Sequence, residues 1–211
     1  MKKLILFFLA SIVLISCNKK VTLKGRVLNP VTNQGIEGFT IAVSADTWEL
    51  PGGAKPVGQT TSGADGSFVL EFKRSGYDFS VYKEGYYSIG WYQNGEILPG
   101  QLPVKDKGKN MKADFYAVPY GSSKANIVNI NCQGVTDTAY FKLKYILSPS
   151  LYDYWSLPKT GCYSHSDATS SKRPIGEYIW ITKVIRSGNT SYQYDTVSIS
   201  ESGVSIFNIN Y

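Results

Sequence analysis

The sequence has very little of the side-chain chemistry that metal centres and catalytic dyads use. Its 211 residues include a single histidine, His165, and only three cysteines. One histidine cannot supply a metal site built from three imidazole ligands. The chain also lacks the G-x-S-x-G turn of serine hydrolases, the phosphate-binding loop of nucleotide hydrolases and the residue spacing of an EF-hand. We therefore expect no cofactor, no bound metal and no enzymatic activity.

Long apolar runs and helical patterns are missing as well. The longest apolar stretch, LILFFLASIVLI at positions 4–15, has 12 residues, whereas a helix needs about 20 to cross a bilayer. No later segment repeats its apolar residues with a sustained period of 3.6. Abundant instead are Gly (20), Tyr (16) and Phe (9), a balance typical of twisted sheets and tight turns. The composition and patterning predict an all-β protein.

The short apolar stretch has the features of an export signal. Lys2 and Lys3 precede it, and a small residue, Ser16, stands before Cys17. A positive start, an apolar centre and a small residue at the cleavage point make up a secretory signal peptide. The run Leu14-Ile15-Ser16-Cys17 resembles the lipobox of bacterial lipoproteins, in which the cysteine is lipidated and becomes the first mature residue. The alternative is an ordinary signal peptide with an incidental cysteine.

The lipobox resemblance implies both an anchor and an address. It predicts a cleaved signal peptide at 1–16 and a lipidated tether at 17–20 that holds the protein to the membrane, because several acyl chains bind stably where one binds reversibly. In bacteria resembling enterobacteria, an Asp directly after the lipidated cysteine retains a lipoprotein in the inner membrane. Asn18 occupies that position here and favours the outer membrane. The lysines at 19–20 stand where surface lipoproteins of the Bacteroidota usually carry an acidic cluster, which favours the periplasmic face.

The charge of the mature chain is small. The formal net charge of the whole sequence is +6, and removal of Lys2 and Lys3 with the signal leaves +4. Such an excess does not form a basic stripe for nucleic acid, and an exported chain rarely meets nucleic acid. We expect no nucleic-acid partner.

Residues 21–119 carry the alternating apolar pattern of a first β-sandwich. The predicted strands lie in VTLKGRVLNP, IEGFTIAVSA, TTSGADGSFVLEF, YDFSVYKEGY and MKADFYAVP. Asp65-Gly66 has the chemistry of a tight turn, in which Gly66 takes a positive φ.

The order of these landmarks resembles the carboxypeptidase regulatory-like domain. The matching pieces are Gly25, the turn from Gly35 to Gly38, the segment 61–68 and Lys83-Glu84-Gly85-Tyr86. The resemblance implies a transthyretin-like β-sandwich, found on many Bacteroidota lipoproteins, with a generally non-catalytic role. The zinc carboxypeptidases that carry this domain need a His-x-x-Glu pair and a second histidine, which this chain lacks.

Residues 120–211 predict a second sandwich, of an immunoglobulin- or fibronectin-like kind. PYGSSKA at 119–125 is predicted to be a turn-rich break between the two domains. Short strands follow in NIVNINC, YFKLKYIL, EYIWITKVIR, YQYDTVSIS and VSIFNINY. Trp180, in the middle of one of them, is predicted to be a core residue.

Two cysteines remain once Cys17 is lipidated. In an oxidising compartment Cys132 and Cys162 are most simply a disulfide. The rival interpretation is a nucleophilic Cys162 with His165 three residues on, which needs a free thiol.

Several aromatic residues are predicted to lie on loops rather than on inward strand faces: Trp48, Trp91, Tyr92, Tyr152, Tyr154 and Trp155. Such rings can anchor a protein partner or stack on sugars. The alternative is that they fold back over the sandwich ends as core. We expect a membrane-anchored, non-enzymatic envelope module that binds a protein partner, or alternatively a glycan-binding accessory lipoprotein of polysaccharide uptake.

Overall fold

The computed structural model describes residues 20–47, 53–73, 78–98, 100, 102 and 110–211. The predicted signal peptide, Cys17 and Trp48 lie outside these residues. The described chain is all-β, with its sheets in a sandwich-like arrangement, as the sequence predicts. Within the described ranges, no helix is long and apolar enough to cross a membrane.

The chain divides into two compact units. Unit 1 comprises the described residues up to Glu84 together with Ser88–Ala117, and unit 2 comprises Gly85–Tyr87 together with Val118–Tyr211. The strands that contribute to unit 1 are β1 (Lys20–Asn29), β2 (Gln34–Gly35), β3 (Thr40–Thr47), β4 (Gly53–Thr61), β5 (Ser67–Lys73), β6 (Asp78–Tyr82), β7 (Tyr86–Gln93), β8 (Glu96–Leu98), β9 (Met111–Lys112) and β10 (Asp114–Val128).

Unit 1 is organised around β1. This strand pairs antiparallel with β5, placing Leu23 opposite Leu70, and parallel with β10, placing Val27 opposite Phe115. A separate sheet has the order β4-β3-β6. The alternation predicted from the sequence is confirmed in β3 and β5, where every second residue is buried. The buried apolar side chains include Val21, Leu23, Val27, Phe39, Ile41, Val43, Phe68, Leu70, Phe72, Phe79, Ile89, Trp91 and Phe115.

The turn before β5 has the predicted geometry. Gly66 has a φ of 80°, in the region that only glycine adopts freely. A Cβ atom on this residue would lie 2.3 Å from the carbonyl oxygen of Val27. The Asp65 carboxylate accepts a hydrogen bond from the backbone N–H of Ser67 at 3.0 Å. Hydrogen bonds from the side chain of Ser67 and from its backbone lower the pKa of Asp65.

Unit 2 adds seven strands among the described residues. They are β11 (Thr138–Tyr145), β12 (Lys159–Thr160), β13 (Ser164–Ser166), β14 (Ser171–Pro174), β15 (Gly176–Arg186), β16 (Asn189–Ile199) and β17 (Val204–Asn210). One sheet has the order β12-β11-β15-β16, with antiparallel pairing throughout. In the other, β10 pairs antiparallel with β13 and β14 and parallel with β17.

The two sheets of unit 2 enclose an aromatic core. Their buried side chains are Ala125, Ile127, Ala139, Phe141, Leu143, Tyr145, Tyr178, Trp180, Val184, Ile199, Phe207, Ile209 and Tyr211. Trp180 is 8% exposed, so its predicted place in the core is confirmed. Burial raises the pKa of both Tyr145 and Tyr178, whose hydroxyls donate to the carbonyl oxygens of Ile175 and Pro174.

The predicted turn-rich break at 119–125 is wrong. Strand β10 continues through these residues without interruption. The cause is pairing on both sides: Tyr120–Ser123 pair with β14, and Ser122–Val128 pair with β17. Small residues suit this crowded position, because a Cβ on Gly121 would lie 2.2 Å from the carbonyl oxygen of Ser200.

Cys132 and Cys162 are joined by a disulfide with a Cα–Cα distance of 5.1 Å, the pair that the sequence predicts. A buried carboxylate lies nearby. Asp137 accepts hydrogen bonds from the backbone N–H of Gln133 at 3.0 Å and from Arg186 Nε at 3.1 Å. These contacts, the Gln133 hydrogen bond foremost, hold the pKa of Asp137 below its usual value.

Candidate functional site

The predicted aromatic residues have very different environments. Tyr154 is 69% exposed and Trp155 is 41% exposed, both on the loop between β11 and β12. Their predicted loop position is therefore the observed one.

Trp91 is not a surface residue, and its predicted place on a loop is wrong. It lies in β7 and is 1% exposed. Its ring packs edge-on against Phe79 at 5.5 Å and Phe115 at 5.1 Å between centroids. A buried ring of this kind stabilises unit 1 and cannot contact a ligand.

Tyr92 also belongs to β7 rather than to a loop, so that prediction is wrong as well. Its ring is half-buried and stacks on Tyr116 at 4.8 Å. It lines an open groove of about 450 Å³ in unit 1. Two of the polar side chains of this groove already have partners: Arg26 donates to the Asp65 carbonyl oxygen, and Gln93 donates to that of Lys112.

We call residues 146–158, between β11 and β12, the aromatic loop. The loop is held along the edge of β11 by two hydrogen bonds: the backbone N–H of Ser156 donates to the carbonyl oxygen of Phe141 at 2.7 Å, and Phe141 N–H donates to Ser156 Oγ at 3.0 Å. A third, from Tyr154 N–H to the Tyr152 carbonyl oxygen at 2.8 Å, closes a tight turn in which Tyr152 has a φ of 62°. The exposed rings are therefore presented from a fixed backbone.

Lys142 also holds the aromatic loop in place, through contacts of its side chain. Its ammonium group forms an ion pair with Asp153 and lies 5.7 Å from the centroid of the Trp155 ring, within cation–π range. The hydrogen bond and the charge of Lys142 lower the pKa of Asp153. The Asp153 carboxylate is therefore charged at neutral pH and lies beside the ammonium group of Lys142.

A cavity of about 170 Å³ lies beside the aromatic loop, and we call it the loop cavity. It has aromatic walls from Tyr152, Tyr154 and Trp180 and cationic walls from Lys142 and Arg173. The guanidinium of Arg173 lies 5.0 Å from the centroid of the Tyr152 ring. Rings, cations and hydrogen-bond donors thus meet in one small concave space, the general form of a small-ligand site.

The contribution of Arg173 and Lys142 was not foreseen from the sequence. Arg173 is on β14, and only the pairing of β14 with β10 brings it beside the loop. Lys142 follows the outward alternation of β11 and looks like an ordinary solvated lysine. No local sequence signal marks either residue.

The residues of the rival catalytic interpretation are engaged in other contacts. Cys162 is in the disulfide. His165 lies on the short strand β13, with its Nε2 atom 3.0 Å from Asp167 Oδ1. Within the described ranges, no group of three or more His, Cys, Asp or Glu side chains could hold a metal ion.

No protein-family model matches this chain, and comparison with curated protein sequences gives no match. Solved structures do resemble it distantly. A DUF3823 family protein from Parabacteroides merdae is 12% identical, with 86% of this chain and 98% of that chain covered and a TM-score of 0.30. A streptococcal ancillary pilin is 11% identical over 91% of this chain and 62% of its own, with a TM-score of 0.31. A minor pilin of Streptococcus agalactiae is 12% identical over 90% and 94%, also with a TM-score of 0.31. We draw no function from likenesses this distant.

Proposed function

We propose that this protein is a lipid-anchored, non-enzymatic lipoprotein of the bacterial envelope that acts as an accessory module for a protein partner. The sequence features that support the anchor are Leu14 to Cys17, which resemble a lipobox, and the short apolar run before them. The landmarks from Gly25 to Tyr86 support a carboxypeptidase regulatory-like identity for unit 1. The proposed location is the periplasmic face of the outer membrane.

The observation that supports a protein partner is the exposed apolar surface of the aromatic loop. Tyr154, Trp155 and Leu157 are 69%, 41% and 80% exposed within four residues of one another. Large aromatic and aliphatic side chains so close together are typical of the centre of a protein interface. The hydrogen bonds of Ser156 and the ion pair of Lys142 already order the loop, which reduces the entropy lost on binding.

The proposal of a non-enzymatic role has two supports. A cysteine in a disulfide offers no thiolate for nucleophilic attack, and Cys162 is so engaged. The single histidine of the sequence cannot supply a metal site built from three imidazole ligands.

In-vivo photo-crosslinking tests the partner. A crosslinker placed at position 158, beside the exposed residues, should capture an envelope protein, and the yield should fall strongly in Trp155→Ala and Leu157→Ala. The matched controls are Tyr194→Ala and Ile206→Ala, which remove side chains that are 66% and 57% exposed elsewhere on unit 2. Equal yields in all four variants would contradict the proposed interface.

The anchor is tested separately. Cys17→Ser should abolish lipidation and leave the signal peptide uncleaved, because the cysteine is the predicted lipid acceptor. Mass spectrometry and membrane fractionation of the expressed protein measure both. Normal processing and membrane partition of this variant would overturn the lipoprotein assignment.

A second candidate function is glycan binding by an accessory lipoprotein of polysaccharide uptake. The observation that favours it is the loop cavity, in which the rings of Tyr152 and Tyr154 lie beside the donors of Arg173 and Trp180. Sugars present apolar ring faces together with hydroxyl groups, so a site with both partners suits them. Titration of the intrinsic tryptophan fluorescence with neutral and acidic monosaccharides would detect such binding.

A further inference from the structure

Two side chains that line the loop cavity each carry a buried hydrogen-bond donor that has no partner. The Nε atom of Arg173 and the Nε1 atom of the Trp180 indole are both buried, and neither forms a hydrogen bond. Both side chains line the cavity. A buried unpaired donor is costly and therefore uncommon in native proteins. Of the five buried side-chain atoms without a partner in the described chain, two belong to residues that line this cavity, so a ligand that reaches them would supply the missing acceptors.

One of the two cations that line the cavity has no ionic partner. Lys142 forms an ion pair with Asp153, whereas none of the carboxylates in the described chain forms an ion pair with Arg173. The guanidinium of Arg173 has the face of Tyr152 beside it, but a ring face does not offset a full charge. A net positive charge therefore remains at the wall, and it favours an anionic ligand.

The size of the cavity limits that ligand. Its volume of about 170 Å³ is close to that of a protein cavity of about 150 Å³ that admits one benzene ring. A single six-membered ring with small substituents fits such a space, whereas two linked rings do not. The exposed ring of Tyr154 stands at the same wall and offers a face for stacking.

We propose that the loop cavity binds one sugar ring that carries a carboxylate, that is, a uronic acid residue of an acidic glycan. Arg173 binds the carboxylate, the Trp180 indole donates to a ring hydroxyl or ring oxygen, and Tyr154 contacts the apolar face of the ring. Lys142, which also lines the cavity, remains paired with Asp153 and keeps the aromatic loop in place. This inference deepens the second candidate function, glycan binding, and rests on it.

An acidic side chain of a peptide is the competing ligand, and the cavity favours the sugar over it. A carboxylate on a short aliphatic stem would satisfy Arg173 alone. It would leave Trp180 without an acceptor and would leave the space against Tyr154 unfilled. A ring with both a carboxylate and hydroxyl groups would contact Arg173, Trp180 and Tyr154 together.

Calorimetric and fluorescence titrations of the mature protein at low salt test the proposal. The probes are glucuronate and galacturonate, with glucose and galactose as their neutral counterparts. We expect the acidic sugars to bind with Kd values of about a millimolar, as is common for a single small ring. Arg173→Gln should weaken their binding by about 10- to 100-fold, the effect of losing a charge-assisted hydrogen bond, and should change the affinity for neutral sugars little.

The matched control is Lys172→Gln. It removes the same charge from the adjacent, exposed position on β14 and should leave uronate binding within about twofold, since exposed charges interact weakly. Because Arg173 also packs on Tyr152, circular dichroism should first establish that Arg173→Gln is folded. If it is not, Tyr154→Ala provides the second test. Its side chain is largely exposed, so folding should be unaffected while uronate affinity falls.

Three results would overturn the inference. Equal affinities for acidic and neutral sugars would show that Arg173 does not bind the carboxylate. Equal binding of a glutamate-rich peptide would favour a peptide ligand. No binding of either uronate up to about 50 mM would show that the cavity does not bind this ligand. These outcomes are separate from the partner experiment, because Arg173→Gln leaves Trp155 and Leu157 in place. Loss of crosslinking with intact uronate binding would be a failure of the protein-partner proposal alone.

Discussion

Removal of the Cys132–Cys162 disulfide should destabilise unit 2 by about 3.6 kcal/mol. The perturbation is the double variant Cys132→Ser/Cys162→Ser, which leaves no unpaired thiol. The bridge closes a separation of 30 residues. In the chain-entropy relation, −2.1 − 1.5R ln n with n of 30 gives about −12 cal/mol/K, which is about 3.6 kcal/mol at 25 °C.

The structure indicates that this cost acts mainly on the unfolded chain. Hydrogen bonds hold the same segments together in the folded state: Gly161 N–H donates to the Asp137 carbonyl oxygen at 2.8 Å, and Asn129 N–H donates to that of Tyr163 at 3.1 Å. The bridge itself is only partly buried. Serine in place of cysteine therefore loses little packing, and the folded geometry should persist.

A urea titration in which unfolding is monitored by hydrogen–deuterium exchange of peptides from β15 and β16 measures the effect in unit 2 alone. With an m-value of about 1–3 kcal/mol/M, the midpoint should fall by about 1–4 M urea. An unchanged midpoint would refute the loop-entropy reasoning. Rapid alkylation of Cys162 in the native wild-type protein would go further, because it would restore the nucleophilic interpretation.

Three further predictions concern stability. Gly66→Val should cost more than about 1 kcal/mol from its positive φ alone, with the clash at Val27 in addition, and an unchanged melting temperature would contradict the turn. Trp91→Ala should destabilise unit 1 by about 3–5 kcal/mol in urea titration, whereas a surface ring would cost little. Because Asp137 has a lowered pKa in the folded state, the stability it contributes is present above its unfolded value of 3.8 and is lost as the pH falls further. The melting temperature of Asp137→Asn should therefore fall less steeply below about pH 4 than that of the wild type. Parallel curves would show that the contacts of Asp137, the Gln133 hydrogen bond foremost, do not stabilise its charged form.

The parts of the fold that the sequence predicts are those set by local patterns. In β11 the inward Phe141, Leu143 and Tyr145 alternate with Lys142 and Lys144, and burial follows that alternation. The turn at Asp65-Gly66 follows from side-chain hydrogen bonding and a missing Cβ, both of which are local properties. In each case the residue type determines the conformation without help from distant segments.

The errors arose where tertiary pairing overrides local preference. Three consecutive residues of β7, Ile89, Gly90 and Trp91, are all buried, so the strand shows no alternation, and the glycines around it suggested a loop. Gly121 and Ser122 suggested a turn, but β14 and β17 supply hydrogen-bond partners on both sides of β10. Strand preference depends on such neighbours more than on the residue itself.

The candidate site was predictable only in its exposed rings. Tyr154 and Trp155 lie in a polar segment rich in turn-forming residues, and that composition indicated a loop. The position of Arg173 depends on the register of β14 against β10, in which it lies opposite Gly121. A register between strands 52 residues apart (173 minus 121) has no signature in a single sequence.

The hairpin of β15 and β16 sets an order of events during folding. Its turn residues, Ser187 and Gly188, both have positive φ, at 47° and 81°, the geometry that joins adjacent strands most directly. Hairpins of this kind close in about 1–10 μs. Strand β17 instead pairs in parallel with β10, and Asn126 and Asn208 are 82 positions apart.

That pairing is the slow step, because distant contacts must overcome the entropy of closing a long loop before they contribute any stability. Synthesis from the N-terminus delivers β17 after β10, β13 and β14, the strands of the same sheet in unit 2. Until it arrives, one side of β10 is an open strand edge that another chain could join. We therefore expect newly made chains to associate with one another more readily for as long as that edge is uncovered.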